Sequence, residues 1–193
     1  MPLDALQPYL NELASAAPAP GGGAAAAVTV AQGLALLEMV GNLTVGKKKF
    51  AAVESETRSL LDRATALRAQ ALALMEADMV AFNKVMDAYR MLSETEAQAD
   101  VKREALTAAT RAAAEPPYRL MQLAADALPL ADRLEQIGNP NVLSDVLVGR
   151  ILLLAGLQAS RENVEVNLRS LPPEDYCVVA LRAGMRSIAP HCG

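Results

Sequence analysis

One carboxylate is conspicuous in this 193-residue chain. Leu60, Leu67, Ala71, Leu74, Phe82, Val85 and Tyr89 recur at helical spacing, and Asp78 falls in the middle of that apolar stripe, while Asn83 and Asp87 do not share its position. A carboxylate among apolar neighbours costs several kcal/mol unless it is paired or protonated. Functional sites are where such a cost is tolerated, and a buried salt bridge is the structural alternative. A carboxyl whose pKa is raised by burial is suited to general acid or base work.

Two other segments could hold an anion. Pro18-Ala19-Pro20-Gly21-Gly22-Gly23 runs directly into Ala24-Ala25-Ala26-Ala27, placing three residues without side chains at a helix N-terminus, where free amides and the helix dipole suit a carboxylate or phosphate. No strand precedes it, so it is not a dinucleotide-binding fingerprint; close backbone packing would equally account for the glycines. Gly41-Asn42-Leu43-Thr44-Val45-Gly46-Lys47-Lys48 nearly reads as a phosphate loop, but Lys48 stands where Ser or Thr must bind magnesium. What remains is a helix end at Gly46 followed by Lys47, Lys48 and Lys49. These lysines either complement the helix dipole or grip an anionic tail.

Ser144 and Asp145 follow the Asn139-Pro140-Asn141 turn, where capping explains them. Asn163 and Asn167, four residues apart on one helix face, are either paired amides able to read the edge of a heterocycle or solvated surface. The single histidine, His191, and the cysteines, Cys177 and Cys192, cluster near the C-terminus. That arrangement argues against a histidine-centred triad and against a metal site, so acid and base work falls to carboxylates and lysines.

The elements that must position these residues are helices. Hydrophobic residues make up 52% of the chain and aromatic residues 3%, so Ala, Leu, Val and Met fill the core, as in an all-α protein. Neither Gly nor Pro occurs between Gly46 and Pro116. Ser93 with Glu96 reads as a capping box, dividing this stretch into a helix over 50–91 and another over 94–114. Pro116-Pro117 then restarts a helix to 136 that Pro129 kinks or divides, the Gly138-Asn139-Pro140-Asn141 turn leads to a helix ending near Leu171, and a last helix covers 174–188. The expectation is a single domain over 1–193, a bundle of about six helices. A helix over 50–91 would be about 60 Å long against a radius of gyration of about 16 Å, so it either bends within a monomer or projects and calls for a partner; the second reading predicts a homodimer.

The net charge of −4 and the absence of a long basic run argue against nucleic acid. The stretches from Ala24 to Val45 and from Val142 to Ser160 are apolar enough to suggest membrane spans, but Gln32, Glu38 and Asn42 interrupt the first and Asp145 and Arg150 the second, so burial among helices is the expectation. Met1-Pro2-Leu3-Asp4 lacks the start of a signal peptide, and a reducing cytoplasm is the expected location.

Four motifs in order, Pro20-Gly21-Gly22-Gly23, Asn42-Leu43-Thr44-x-Gly46-Lys47-Lys48-Lys49-Phe50, Asp78-x-x-Ala81-Phe82 and Gly138-Asn139-Pro140-Asn141-x-x-Ser144-Asp145, resemble the C-terminal family of formiminotransferase-cyclodeaminase. That family includes stand-alone methenyltetrahydrofolate cyclohydrolases, and the resemblance spans roughly residues 1 to 171. It implies an all-helical homodimer with a folate site near the subunit interface, and no cofactor beyond the tetrahydrofolate derivative that is the substrate. By this resemblance Asp78 and Lys48 are the catalytic residues, and Gly21, Gly22, Gly23, Asn42, Lys47, Lys49, Phe82, Asn139, Asn141 and Asp145 contact substrate, with lysines facing the glutamate tail. The implied reaction is hydrolysis of methenyltetrahydrofolate to formyltetrahydrofolate. Its rivals are cyclodeamination of formiminotetrahydrofolate with release of ammonia and, from another class, a catalytically silent folate-binding or interaction module.

Overall fold

The computed structural model describes residues 6–188; His191 and Cys192 lie outside them. Within that range the chain forms six α-helices and no strand: α1 (Gln7–Leu13), α2 (Gly22–Asn42), α3 (Glu54–Tyr89), α4 (Glu96–Ile137), α5 (Leu143–Leu168) and α6 (Tyr176–Ile188), with short 3-10 segments at Lys48–Val53 and Pro140–Val142. Helix α2 packs on α3 and α5, and α4 also packs on α3 and α5, so α2 to α5 form a closed four-helix bundle running up and down. Helix α6 lies against α4 and α5.

The all-α expectation holds, but the division of the chain differs. Ser93 and Glu96 do not form the capping box: Thr95 is the N-cap of α4, its hydroxyl accepting from Gln98 N while the Gln98 side chain accepts from Thr95 N. Nor does Pro116-Pro117 restart a helix. Helix α4 runs unbroken through Pro116, Pro117 and Pro129 for 42 residues, about 63 Å. A proline in a helix leaves the carbonyl four residues earlier without its amide donor. For Pro117 that carbonyl belongs to Ala113, and Asn167 Nδ2 of α5 donates to it at 3.2 Å. The tertiary neighbour supplies what the proline removes.

Helix α3 shows why the apolar stripe is displaced from its sequence reading. Its buried residues are Thr57, Ala64, Ala71, Ala81 and Ala88, whereas Phe82 and Tyr89 are 39% and 56% exposed. Thr57, Ala64, Ala71 and Asp78 are spaced by seven, and so are Leu60, Leu67, Leu74, Ala81 and Ala88, the two seams of a heptad pattern. Asp78 therefore continues a seam of small residues rather than interrupting a stripe of large ones. On the opposite side of α2, Gly33 and Gly149 of α5 meet backbone to backbone: a Cβ on Gly33 would lie 2.8 Å from Gly149 O. Leu34, Leu37, Leu130, Leu153 and Leu157 fill the core between these close approaches.

Of the two apolar stretches, α2 is the central one, and its Glu38 is satisfied from α3 by Arg68 at 2.6 Å and Thr65 at 3.1 Å. Helix α5 differs, because only 28% of its most apolar 18-residue window is buried. Leu143, Leu147 and Ile151 lie one turn apart on its open side with Val148 beside them, and Met39 and Leu43 of α2 are exposed as well.

Candidate active site

The glycine turn lies at the N-terminus of α2, with Gly21 as N-cap and Gly22 and Gly23 opening the helix. Helix α3 runs antiparallel to α2, which brings its seam residue Asp78 onto this terminus. The carboxylate rests directly on the Gly23 Cα, and a Cβ built on Gly23 would clash with the carboxylate atoms. From α5, Asn163 covers the preceding glycine, with Oδ1 3.2 Å from where a Gly22 Cβ would be. Gly21 meets nothing within 4 Å. Space explains Gly22 and Gly23, since neither has a positive φ.

Asp78 makes no hydrogen bond or ion pair among the described residues, and burial pushes its carboxyl pKa up from the ordinary value. The positive end of α2 works in the other direction by favouring the anion. The result is a half-buried carboxylate at the open end of the bundle, able to hold or release a proton and without a cation of its own. Phe82, one turn further along α3, stands partly exposed at the same end.

The remaining residues expected at the site lie elsewhere in the chain. Asn42 is the last residue of α2, about 30 Å from Gly23 at 1.5 Å per residue, and Lys47, Lys48 and Lys49 follow it; all four are exposed. The Lys49 ammonium sits 4.6 Å from the centre of the Phe50 ring. Asn139, Asn141 and Asp145 gather at this same far end, where the α4–α5 turn meets α2. Asn139 is buried and structural: its amide donates to Thr44 Oγ1 (3.0 Å), its Nδ2 to Leu43 O (3.2 Å), and its Oδ1 accepts from Asn141 N (3.2 Å). A single chain thus joins Gly21, Gly22, Gly23, Asp78 and Phe82, and separates them from Lys48 and the other lysines. Asn163 was not among the residues assigned to the site by resemblance. Its nearness to Gly22 depends on how α5 packs on α2.

No group of three or more potential metal-ligating residues occurs among the described residues. Asp175, 3% exposed in its side chain, is held below the usual carboxylate range by hydrogen bonds from the Arg111 guanidinium, and it caps the start of α6 by accepting from Cys177 N. Burial pushes the Cys177 thiol up. This cluster fastens α6 to α4.

The family model for formiminotransferase-cyclodeaminase matches residues 5–184. The chain is 35% identical over 179 residues to the methenyltetrahydrofolate cyclohydrolase of Methylorubrum extorquens, covering 93% of this chain and 86% of that protein. It is 34% identical over 175 residues to the formimidoyltransferase-cyclodeaminase of Rattus norvegicus, but spans 32% of that longer protein. The crystal structure of formiminotetrahydrofolate cyclodeaminase from Thermotoga maritima superposes with a TM-score of 0.78 at 29% identity, over 97% of this chain and 92% of that one. The chain belongs to the formiminotransferase-cyclodeaminase family.

Proposed function

We propose that this protein is a folate one-carbon enzyme that hydrolyses methenyltetrahydrofolate to formyltetrahydrofolate, with Asp78 as its base. The observation that carries the reading is a half-buried carboxylate seated on a bare helix N-terminus with no cation beside it among the described residues. The methenyl substrate is a cation whose positive charge is shared by the bridging carbon and its two nitrogens, so it brings the counter-charge that Asp78 lacks. Pairing with it favours the carboxylate form, the form that can accept a proton. Water oxygen then bonds to the bridging carbon as Asp78 takes a water proton. Next, one carbon–nitrogen bond breaks with a proton delivered to the departing nitrogen, leaving a formyl group on the other; one proton in total is released to solvent.

The donor assigned to the second step, Lys48, lies about 30 Å from this point within one subunit, so the reading requires a second copy. A homodimer formed through the open apolar side of α5, with its two-fold axis crossing that helix, runs the partner's α2 antiparallel. It carries the partner's lysine run toward this subunit's Asp78. The face is self-complementary in type: Leu147, Val148 and Ile151, the last 62% exposed, would be covered by the same residues of the partner.

The test follows the absorbance of methenyltetrahydrofolate with purified protein, in parallel with formiminotetrahydrofolate and an ammonia assay. Loss of the methenyl band well above the spontaneous rate supports the hydrolase. Appearance of that band with ammonia release assigns the cyclodeaminase, the activity in the names of the rat and Thermotoga relatives. Mixing Asp78→Asn with a variant lacking the three lysines tests the shared site: random reassortment would restore about a quarter of wild-type turnover, because half the dimers would hold one intact site. No recovery after confirmed subunit exchange rejects it.

A further inference from the structure

We infer that Asn163 is a substrate-binding residue that accepts a hydrogen bond from a ring N–H of the reduced pterin beside Asp78; this rests on the folate reading above. The inference begins with the direction of the amide. Asn163 Nδ2 donates to Ala159 O, one turn back on α5, at 2.8 Å. That bond identifies which end of the amide is nitrogen and turns Oδ1 toward the glycine turn, where it is the closest Asn163 atom to Gly22.

No donor reaches Oδ1 among the described residues. The other amide on this face, Asn167, spends both Nδ2 hydrogens inside the bundle, donating to Asn163 O at 2.9 Å and to Ala113 O. The two differ in position: Asn167 reaches the Ala113 carbonyl of α4, whereas Asn163 turns its acceptor onto the glycine turn.

The position of that acceptor gives it a ligand. Gly22 and Gly23 are adjacent, with Cα atoms about 3.8 Å apart. The first is covered by Asn163 and the second by Asp78, from two different helices. The turn thus presents two side-chain acceptors, one neutral and one acidic, against a single remaining side-chain donor, the second Nδ2 hydrogen of Asn163. Such a pair selects a flat, donor-bearing, positively charged ligand over an anion. A reduced pterin carrying a methenyl bridge fits, with its cationic carbon toward Asp78 and a ring N–H toward Asn163. The anionic glutamate tail must then point away from this turn.

Steady-state kinetics with methenyltetrahydrofolate on Asn163→Leu and Asn163→Asp separates this role from a structural one. Asp retains an acceptor but loses the donor to Ala159 O; Leu loses both. The expected result is a KM raised about tenfold in Asn163→Leu, with kcat within about threefold, and a KM within about threefold of wild type in Asn163→Asp. Equal loss in both variants assigns Asn163 to the Ala159 bond and overturns the inference, as does an unchanged KM in both. Asp78→Asn is measured alongside. If it turns over normally, the catalytic reading itself has failed; if it is inactive while KM ignores residue 163, only this inference has.

Discussion

Adding one methyl group at Gly23 tests the seat of Asp78 most directly. A Cβ there has no room while the carboxylate stays in place, so Asp78 must rotate away or α3 must shift by roughly the radius of a methyl group. A displacement of about 1 Å of a reacting group costs on the order of 100-fold in rate, equivalent to about 2.7 kcal/mol of activation free energy. Stability should change far less. Alanine is better than glycine in a helix by up to about 1 kcal/mol, which partly offsets an overpacking penalty of about 1–3 kcal/mol. Gly23→Ala is therefore expected to lose about 100-fold in kcat, read from decay of the methenyl band, while its Tm falls by less than about 8 °C. Gly22→Ala, which asks Asn163 to move by only a few tenths of an ångström, should be intermediate. Gly21→Ala, with open space around it, should stay within about threefold of wild type. Turnover of Gly23→Ala close to wild type, or equal losses at all three glycines, would refute the argument that these residues are bare to seat side chains from α3 and α5.

Asp78→Asn should lower kcat by about 10²- to 10⁴-fold and leave folate binding largely intact. The same substitution should raise Tm at neutral pH. A carboxyl with a raised folded pKa loses stability as pH climbs from its unfolded toward its folded pKa, and Asn removes that loss. Asp175 has the opposite sign: its depressed pKa contributes stability above the ordinary carboxylate range, lost as pH falls through its folded value. Asp175→Asn should therefore lower Tm at pH 7 and flatten the acid side of the stability profile, measured by thermal melts across pH; an unchanged melt would contradict the clamp on α6. Ile151→Glu should yield monomers by light scattering and cut turnover at least about tenfold, if α5 forms the dimer face. A fully active monomer would remove both the dimer and the shared site.

Much of the fold was legible because it depends on local chemistry. An Ala- and Leu-rich chain with few aromatics predicts helices, and the Asn139-Pro140 turn and the Pro172-Pro173 break fall where the helices end. Two local readings failed for tertiary reasons. The prolines of α4 resemble a restart, but Asn167, fifty residues later, supplies a donor to a carbonyl that Pro117 leaves without its amide. The stripe on α3 was shifted because large residues are a poor guide where helices approach closely. The buried positions are Thr57 and four alanines, with Asp78 half-buried in line with them, and the heptad spacing of Thr57, Ala64 and Ala71 was the sequence signal that could have revealed it.

The sequence by itself determined the helical class, the isolation of Asp78 and the bare glycine turn, since these follow from composition, period and the absence of side chains. Only the tertiary structure decided which of them meet. Helices α2 and α3 run antiparallel, so Gly23 and Asp78, fifty-five positions apart, are in contact, while Gly23 and Asn42, at either end of one rigid helix, are held about 30 Å apart by the 1.5 Å rise of each residue between them, and the lysine run follows at the far end.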